Sequence, residues 1–213
     1  LSSLRVHQEP KIAKKSRFWY DAEMDENQRQ ILLKTAKQAV HAAVRGYQRP
    51  PAVSVRDPHL LAHRGCFVTL KNGQELRGCI GQFEPDRPLI EMVSRMAVSS
   101  AAQDPRFAGD RITPTELPQL YLEISVLSPM EKTDNPLELQ LGVHGIYITD
   151  GYRSGCFLPQ VATETGWTKE EFLDYCCAHK AGLRPGAWRK DPSVRVFLFT
   201  AEVFGAAWEQ IEV

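Results

Sequence analysis

Cys79 stands in the run Leu76-Arg77-Gly78-Cys79-Ile80-Gly81, a thiol two positions from a guanidinium and bounded by glycines. Three chemistries are open to a cysteine in that setting: nucleophilic attack as the thiolate, thiol–disulfide exchange, or contact with a ligand. Arg77 on the same hairpin face would favour the thiolate over the thiol. The competing account makes Cys79 a small buried hydrophobe, since free cysteine is among the most buried residue types. His144, between Val143 and Gly145, is a candidate general base or hydrogen-bond donor, and the glycine lets a ligand or second backbone approach. A structural imidazole in a turn fits the same residues. Glu123 places a carboxylate in the middle of an apolar strand, which is costly unless it is solvated, paired or lining a cavity. Arg77 and Arg153 are its candidate partners. Cys79, His144 and Glu123 therefore form the candidate catalytic set.

Candidate ligand-binding groups are Arg77, Arg153, Asp104 and Arg106 flanking Pro105, and Gln160 beside Pro159 at a helix start. Helix-end capping accounts equally for Asp104 and Arg106, and capping or plain solvation for Gln160. Cys176, Cys177 and His179 are a weak metal signal. Adjacent helix residues diverge by about 100°, so only Cys176 and His179 share a face and burial is the better account. Trp167, Phe172, Trp188 and Trp208 read as core aromatics rather than a base-stacking platform. Without a Walker loop, dinucleotide fingerprint or nucleophile-elbow serine, the sequence points to no cofactor and no metal.

The elements that position these groups alternate between strand and helix. Asp25 and Gln28 open a capped helix whose apolar residues run from Ile31 to Tyr47. Gly65–Lys71 reads as a strand, Asn72-Gly73 as a tight turn and Gln74–Ile80 as the returning strand. A two-residue turn there sets Lys71 opposite Gln74 and Cys66 opposite Cys79, a possible redox pair unless a bulge breaks the register. A helix carries Leu89, Met92, Val93, Met96 and Ala97 on one side. Leu120–Leu127 is a strand with Leu122, Ile124 and Val126 on one face and Tyr121, Glu123 and Ser125 on the other. The second half repeats the order. Its hairpin runs through His144–Thr149 and Ser154–Phe157, its helices through Pro159–Thr165 and Lys169–Ala181, and a proline-announced strand follows Pro192. This predicts an internal β-β-α-β duplication, with halves at about residues 60–130 and 140–205, and a cleft at the seam between them.

With 213 residues, 43% of them hydrophobic, the chain buries an ordinary core without metal or disulfide staples. Basic and acidic residues balance at 26 each, so charge gives no pull toward nucleic acid or an anionic membrane. Five cysteines without paired metal spacing fit a cytoplasmic protein. No apolar run approaches the roughly 18 residues a membrane span needs. A start at Leu1 rather than Met fits a fragment, a processed form or a trimmed chain.

Together Leu76-Arg77-Gly78-Cys79-Ile80-Gly81, Asp104-Pro105-Arg106-Phe107, Glu123–Pro129, Gly142-Val143-His144-Gly145, Leu158–Ala162 with Trp167, and Lys180-Ala181-Gly182-Leu183 resemble the AMMECR domain family. The resemblance runs from about Asp25 to Thr200, leaving residues 1–20 as an N-terminal arm before a domain at 21–213. It implies an α+β fold, antiparallel sheet with flanking helices in two lobes, and no known reaction. Prokaryotic relatives are named protein A of the AmmeMemoRadiSam system, which implies a pathway shared with Memo-type and radical S-adenosylmethionine proteins. Two functions follow as expectations: a thiol-dependent enzyme or enzyme component, or a non-catalytic binding and adaptor module. A third, an RNA-associated protein, comes from the family alone and has no support in the neutral charge.

Overall fold

The computed structural model describes residues 23–47 and 54–212, so the N-terminal arm lies outside the described residues. Helix α1 (Glu26–Val44) starts where the sequence predicts, with a reciprocal cap. The Asp25 carboxylate accepts from Gln28 N–H at 2.8 Å and the Gln28 amide oxygen accepts from Asp25 N–H at 3.0 Å. A short turn of helix, α2 (Pro58–Leu61), leads into β1 (Cys66–Asn72) and β2 (Glu75–Gln82), followed by α3 (Leu89–Ala102) and β3 (Leu120–Leu127). The second half holds β4 (Glu131–Thr133), β5 (Gly145–Thr149) and β6 (Ser154–Phe157), then α4 (Pro159–Thr165) and α5 (Lys169–Tyr175). Cys176–Lys180 extends α5 by a wider turn, and α6 (Ala187–Lys190), β7 (Arg195–Phe199) and β8 (Ala201–Ala207) complete the order.

Two antiparallel sheets result, in the orders β2-β1-β3-β8 and β4-β7-β5-β6. This is the expected α+β architecture, and the orders reveal its logic. In each half a hairpin is followed by helix and then by a strand that returns beside the hairpin's first strand. The strand after that is exchanged: β4 leaves the first half to pair with β7, and β8 leaves the second to pair with β3. The predicted repeat thus appears as two matching sheets, each completed by the other half. One core packs the first sheet against α1 and α3, and a second packs the other sheet against α5 and its extension. Phe83 joins the halves, 5.2 Å from Phe67, 5.5 Å from Tyr147 and 5.3 Å from Phe199 between ring centroids.

The first hairpin departs from the predicted register. Its tip is Gly73-Gln74 rather than Asn72-Gly73, and the pairing then skips Arg77, so that Leu76 faces Lys71 while Gly78 faces Leu70. Both changes move Cys79 down the ladder. It lies opposite Thr69, and Cys66 lies opposite Gln82. Cys66 points into the first core, where burial pushes its thiol up to about 12, while Cys79 is on the other face. The Cys66–Cys79 redox pair is therefore excluded by geometry. In the second hairpin Cys156 faces Tyr147, the place Gly81 takes opposite Phe67.

Beside the bulge, α3 comes very near β2. A Cβ on Gly78 would overlap the Ser100 carbonyl. The Ser100 hydroxyl accepts from Ile80 N–H at 2.9 Å and donates to the Val68 carbonyl at 2.7 Å, so the helix joins the β1–β2 ladder. Gly78→Ala is expected to lower unfolding free energy by about 2 kcal/mol or more through overpacking against rigid backbone. Gly109→Ala, which meets nothing within 4 Å, is the control expected to stay within about 0.5 kcal/mol. Urea titration of both variants checks the contrast.

Candidate functional site

Strand pairing sets Cys79 opposite Thr69, Thr69 opposite Glu123, and Glu123 opposite Gly205. Directly paired residues share a face, so these side chains form one row on the sheet side away from α1 and α3. With strands about 4.8 Å apart, Cys79 and Glu123 flank Thr69 at a separation of roughly 10 Å. The Thr69 hydroxyl donates to the Cys79 sulfur at 3.2 Å. Glu123 meets neither Arg77 nor Arg153: its carboxylate accepts from Lys71 Nζ at 3.3 Å, on the neighbouring strand. Its side chain keeps 20% exposure, so the mid-strand acid is both paired and partly solvated.

The backbone of Cys79 is locked by the segment that follows α3. Asp104 is buried, and its carboxylate accepts from Cys79 N–H at 2.9 Å, from Arg106 N–H at 3.1 Å, and from Arg106 Nε and Nη2 at 3.0 and 2.6 Å. The Arg106 guanidinium, aided by those backbone donors, holds the Asp104 carboxyl down to about 2. Arg106 Nη2 also donates to the Cys79 carbonyl at 3.0 Å, and its guanidinium lies 5.6 Å from the Phe107 ring centroid. Asp104 and Arg106 thus cap a helical turn, Pro105–Phe107, and brace the thiol at once.

Arg77 plays a different part from the one its sequence position suggests. As the bulged residue it is buried, with Nε 2.7 Å from Glu116 Oε1 and Nη1 2.7 Å from Asp110 Oδ2. Those carboxylates occupy its donors and hold it firmly protonated, so it ties β2 to the loop before β3. The cation bonded to the Cys79 backbone is Arg106.

His144 is not joined to the row by any hydrogen bond. Its Nδ1 accepts from Gln140 N–H at 3.1 Å and its own N–H donates to the Gln140 carbonyl at 2.8 Å, closing the loop before β5. Arg153 sits at the β5–β6 tip, bound to Asp150 at 2.8 and 3.1 Å and to the Gly182 carbonyl at 2.8 Å. Gln160 opens α4, where its side-chain oxygen is enclosed without a hydrogen-bond partner among the described residues. These three lie on the second half. Among the described residues no group of three or more histidine, cysteine or acidic side chains could hold a metal ion.

The other cysteines differ from Cys79. Cys66, Cys176 and Cys177 are buried, and burial raises all three thiols. Cys156 is half-buried, and burial pushes its thiol up to about 11, with the nearby Cys79 acting in the same direction and Lys180 against it. Thr69 and Lys71 are the members of the site that sequence reasoning missed. Their residue types were legible, but it takes the shifted β1–β2 register to set Thr69 beside Cys79 and the β1–β3 pairing to bring Thr69 and Lys71 to Glu123.

A family model described as AMMECR1 matches residues 33–204, a span that takes in Thr69, Cys79, Asp104, Arg106 and Glu123. A protein of Methanopyrus kandleri is 44% identical over 165 residues, 74% of this chain and 76% of its own length. A protein of Methanothermobacter thermautotrophicus is 39% identical over 189 residues, 86% of this chain and 96% of its own. The crystal structure of an uncharacterised protein from Pyrococcus horikoshii superposes with a TM-score of 0.77 at 35% identity, covering 85% of this chain and 93% of that one. With the family model across most of its length, and relatives that share both its sequence and its fold, this chain belongs to the AMMECR1 family.

Proposed function

We propose that the chain is a thiol-dependent enzyme or enzyme component whose reactive group is Cys79. The observation that carries this reading is that Cys79 combines partial exposure with a hydroxyl donor on sulfur and a backbone fixed on both sides. A donor to sulfur is worth more to a thiolate than to a thiol. Such a thiolate can add across a polarised carbon–carbon or carbon–oxygen double bond: its electron pair forms the S–C bond, the π pair takes up the proton that sulfur released, and nothing leaves. Glu123 lies too far along the row to take the thiol proton directly, since a general base needs hydrogen-bond reach. A ligand lying along the row would meet the thiol at one end and the Lys71–Glu123 pair at the other. The family resemblance suggests a place in a pathway shared with Memo-type and radical S-adenosylmethionine proteins.

The second reading, an adaptor, draws on Tyr152. This ring is 98% exposed at the β5–β6 tip, a rigid turn in which Asp150 Oδ1 accepts from Tyr152 N–H at 2.9 Å and Arg153 N–H at 2.7 Å. An exposed aromatic on a braced turn is suited to anchor a partner protein.

Iodoacetamide at neutral pH is expected to label Cys79 about tenfold faster than Cys66, Cys156, Cys176 or Cys177, read by peptide mass spectrometry. Equal, slow labelling of all five would overturn the thiol reading. Thr69→Val, which keeps shape and removes the donor, should slow Cys79 labelling about threefold or more, and Thr69→Ser should preserve it. A rate unchanged in the valine variant would separate Thr69 from the chemistry. If the adaptor reading holds instead, Tyr152→Ala abolishes co-purification with Memo-type or radical partners while Cys79→Ala leaves it intact.

A further inference from the structure

Arg106 differs from most surface arginines in how little freedom it has. Asp104 receives its Nε and Nη2, the Cys79 carbonyl receives Nη2 again, and the Phe107 ring packs against its plane. Its side chain nevertheless keeps 53% exposure, so the outer edge of the fork faces solvent. A fixed guanidinium binds an anion without the ordering cost a mobile side chain carries. It is also near enough to the Cys79 thiol for the two to interact electrostatically.

The surrounding charges leave that edge attractive to anions. Arg111 Nη1 donates to the Asp104 carbonyl at 2.9 Å, so two guanidinium groups converge on a segment with one buried carboxylate. The neighbouring Asp110 is bonded to Arg77. Across the row, the negative charge of Glu123 is met by Lys71.

Building on the thiol reading above, we infer that the ligand of Cys79 carries a carboxylate or phosphate, and that Arg106 holds this group while the thiol faces the adjacent carbon. The site then selects anionic electrophiles over neutral ones of the same size. Simple activation of the thiol by Arg106 would accelerate both kinds equally. Only recognition of the ligand's charge separates them.

The test compares iodoacetate, which carries a carboxylate beside the reactive carbon, with its neutral counterpart iodoacetamide. Labelling rates at Cys79 are measured by mass spectrometry and expressed as the iodoacetate-to-iodoacetamide ratio, with 2-mercaptoethanol as the uncharged reference thiol. At low ionic strength the ratio at Cys79 should exceed the reference about fivefold, the order expected for one solvent-screened charge pair. It should fall toward the reference in 1 M salt, where the screening length shrinks to about 3 Å. Arg106→Gln should bring the ratio to the reference value in any buffer. A wild-type ratio equal to the reference, or one unmoved by salt and by Arg106→Gln, overturns the inference. The salt series needs no substitution, so a poorly folding variant would not blunt the test. Failure of both reagents to label wild-type Cys79 would overturn the thiol reading itself, and this inference with it.

Discussion

The position of everything in the site depends on one close contact, the backbone of α3 lying on β2 at Gly78. With no Cβ at Gly78, the Ser100 carbonyl comes within contact distance of the strand, and the Ser100 hydroxyl links Ile80 to Val68. Fixing the last turns of α3 against β2 also fixes what comes next. Asp104 lies two residues beyond the end of that helix, and is delivered to the outer edge of β2 where, among the described residues, the Cys79 N–H has no strand to bond. An edge strand's free N–H is a liability that proteins cover, and here the cover is a carboxylate that simultaneously anchors Arg106. Packing in the core thus determines the presentation of the thiol on the opposite face.

The exchange of β4 and β8 gives the site its second dependence. Pairing β3 with β8 places a strand from the end of the chain at the edge of the first sheet, and Gly205 extends the row beyond Glu123. The Tyr121 ring lies over Gly205, where any side chain would collide with it. The row Cys79-Thr69-Glu123-Gly205 is therefore assembled from both halves, and the halves cannot part without breaking two ladders. Phe83 adds an aromatic join where the sheets meet. A duplication that exchanges strands produces a seam with side chains from both copies, and the exchanged β8 also serves the first core, where Phe204 and Ala206 pack and Glu202 pairs with Arg29 of α1.

The sequence revealed most where the signal was independent of register. Alternation along β3 placed Leu122, Ile124 and Val126 in the core and Glu123 on the other face, as found, because a period of two needs no partner strand. The α1 cap and the apolar face of α3 were equally legible, being set by neighbours within one turn of helix. Register in the first hairpin was not. The tip falls one residue later than Asn72-Gly73 suggests, and the bulge at Arg77 adjoins Gly78, where α3, which comes after the hairpin in the chain and whose approach no local pattern announces, lies on the strand. Those two shifts separated Cys66 from Cys79, placed Thr69 beside the thiol and redirected Arg77. His144 and Arg153 were singled out by residue type and spacing, yet His144 bonds within its own loop and Arg153 bonds Asp150 in its own turn and the Gly182 carbonyl, away from the row.

Arg77 and Arg106 show why distance along the chain is a poor guide to electrostatic influence. Arg77 is two residues from Cys79 and Arg106 is 27 away, yet it is Arg106 that bonds to the Cys79 backbone. Strand geometry explains the reversal: a bulge re-aims its extra side chain, here toward Asp110 and Glu116, where a buried guanidinium needs its donors satisfied. Once those bonds are made, the charge of Arg77 is committed to holding the loop before β3. Arg106 reaches the same strand from a helical turn, keeps one carboxylate as its anchor and leaves the rest of its surface in water. Burial, more than proximity, has divided the two guanidinium groups into one that maintains the hairpin and one whose outer edge stays exposed.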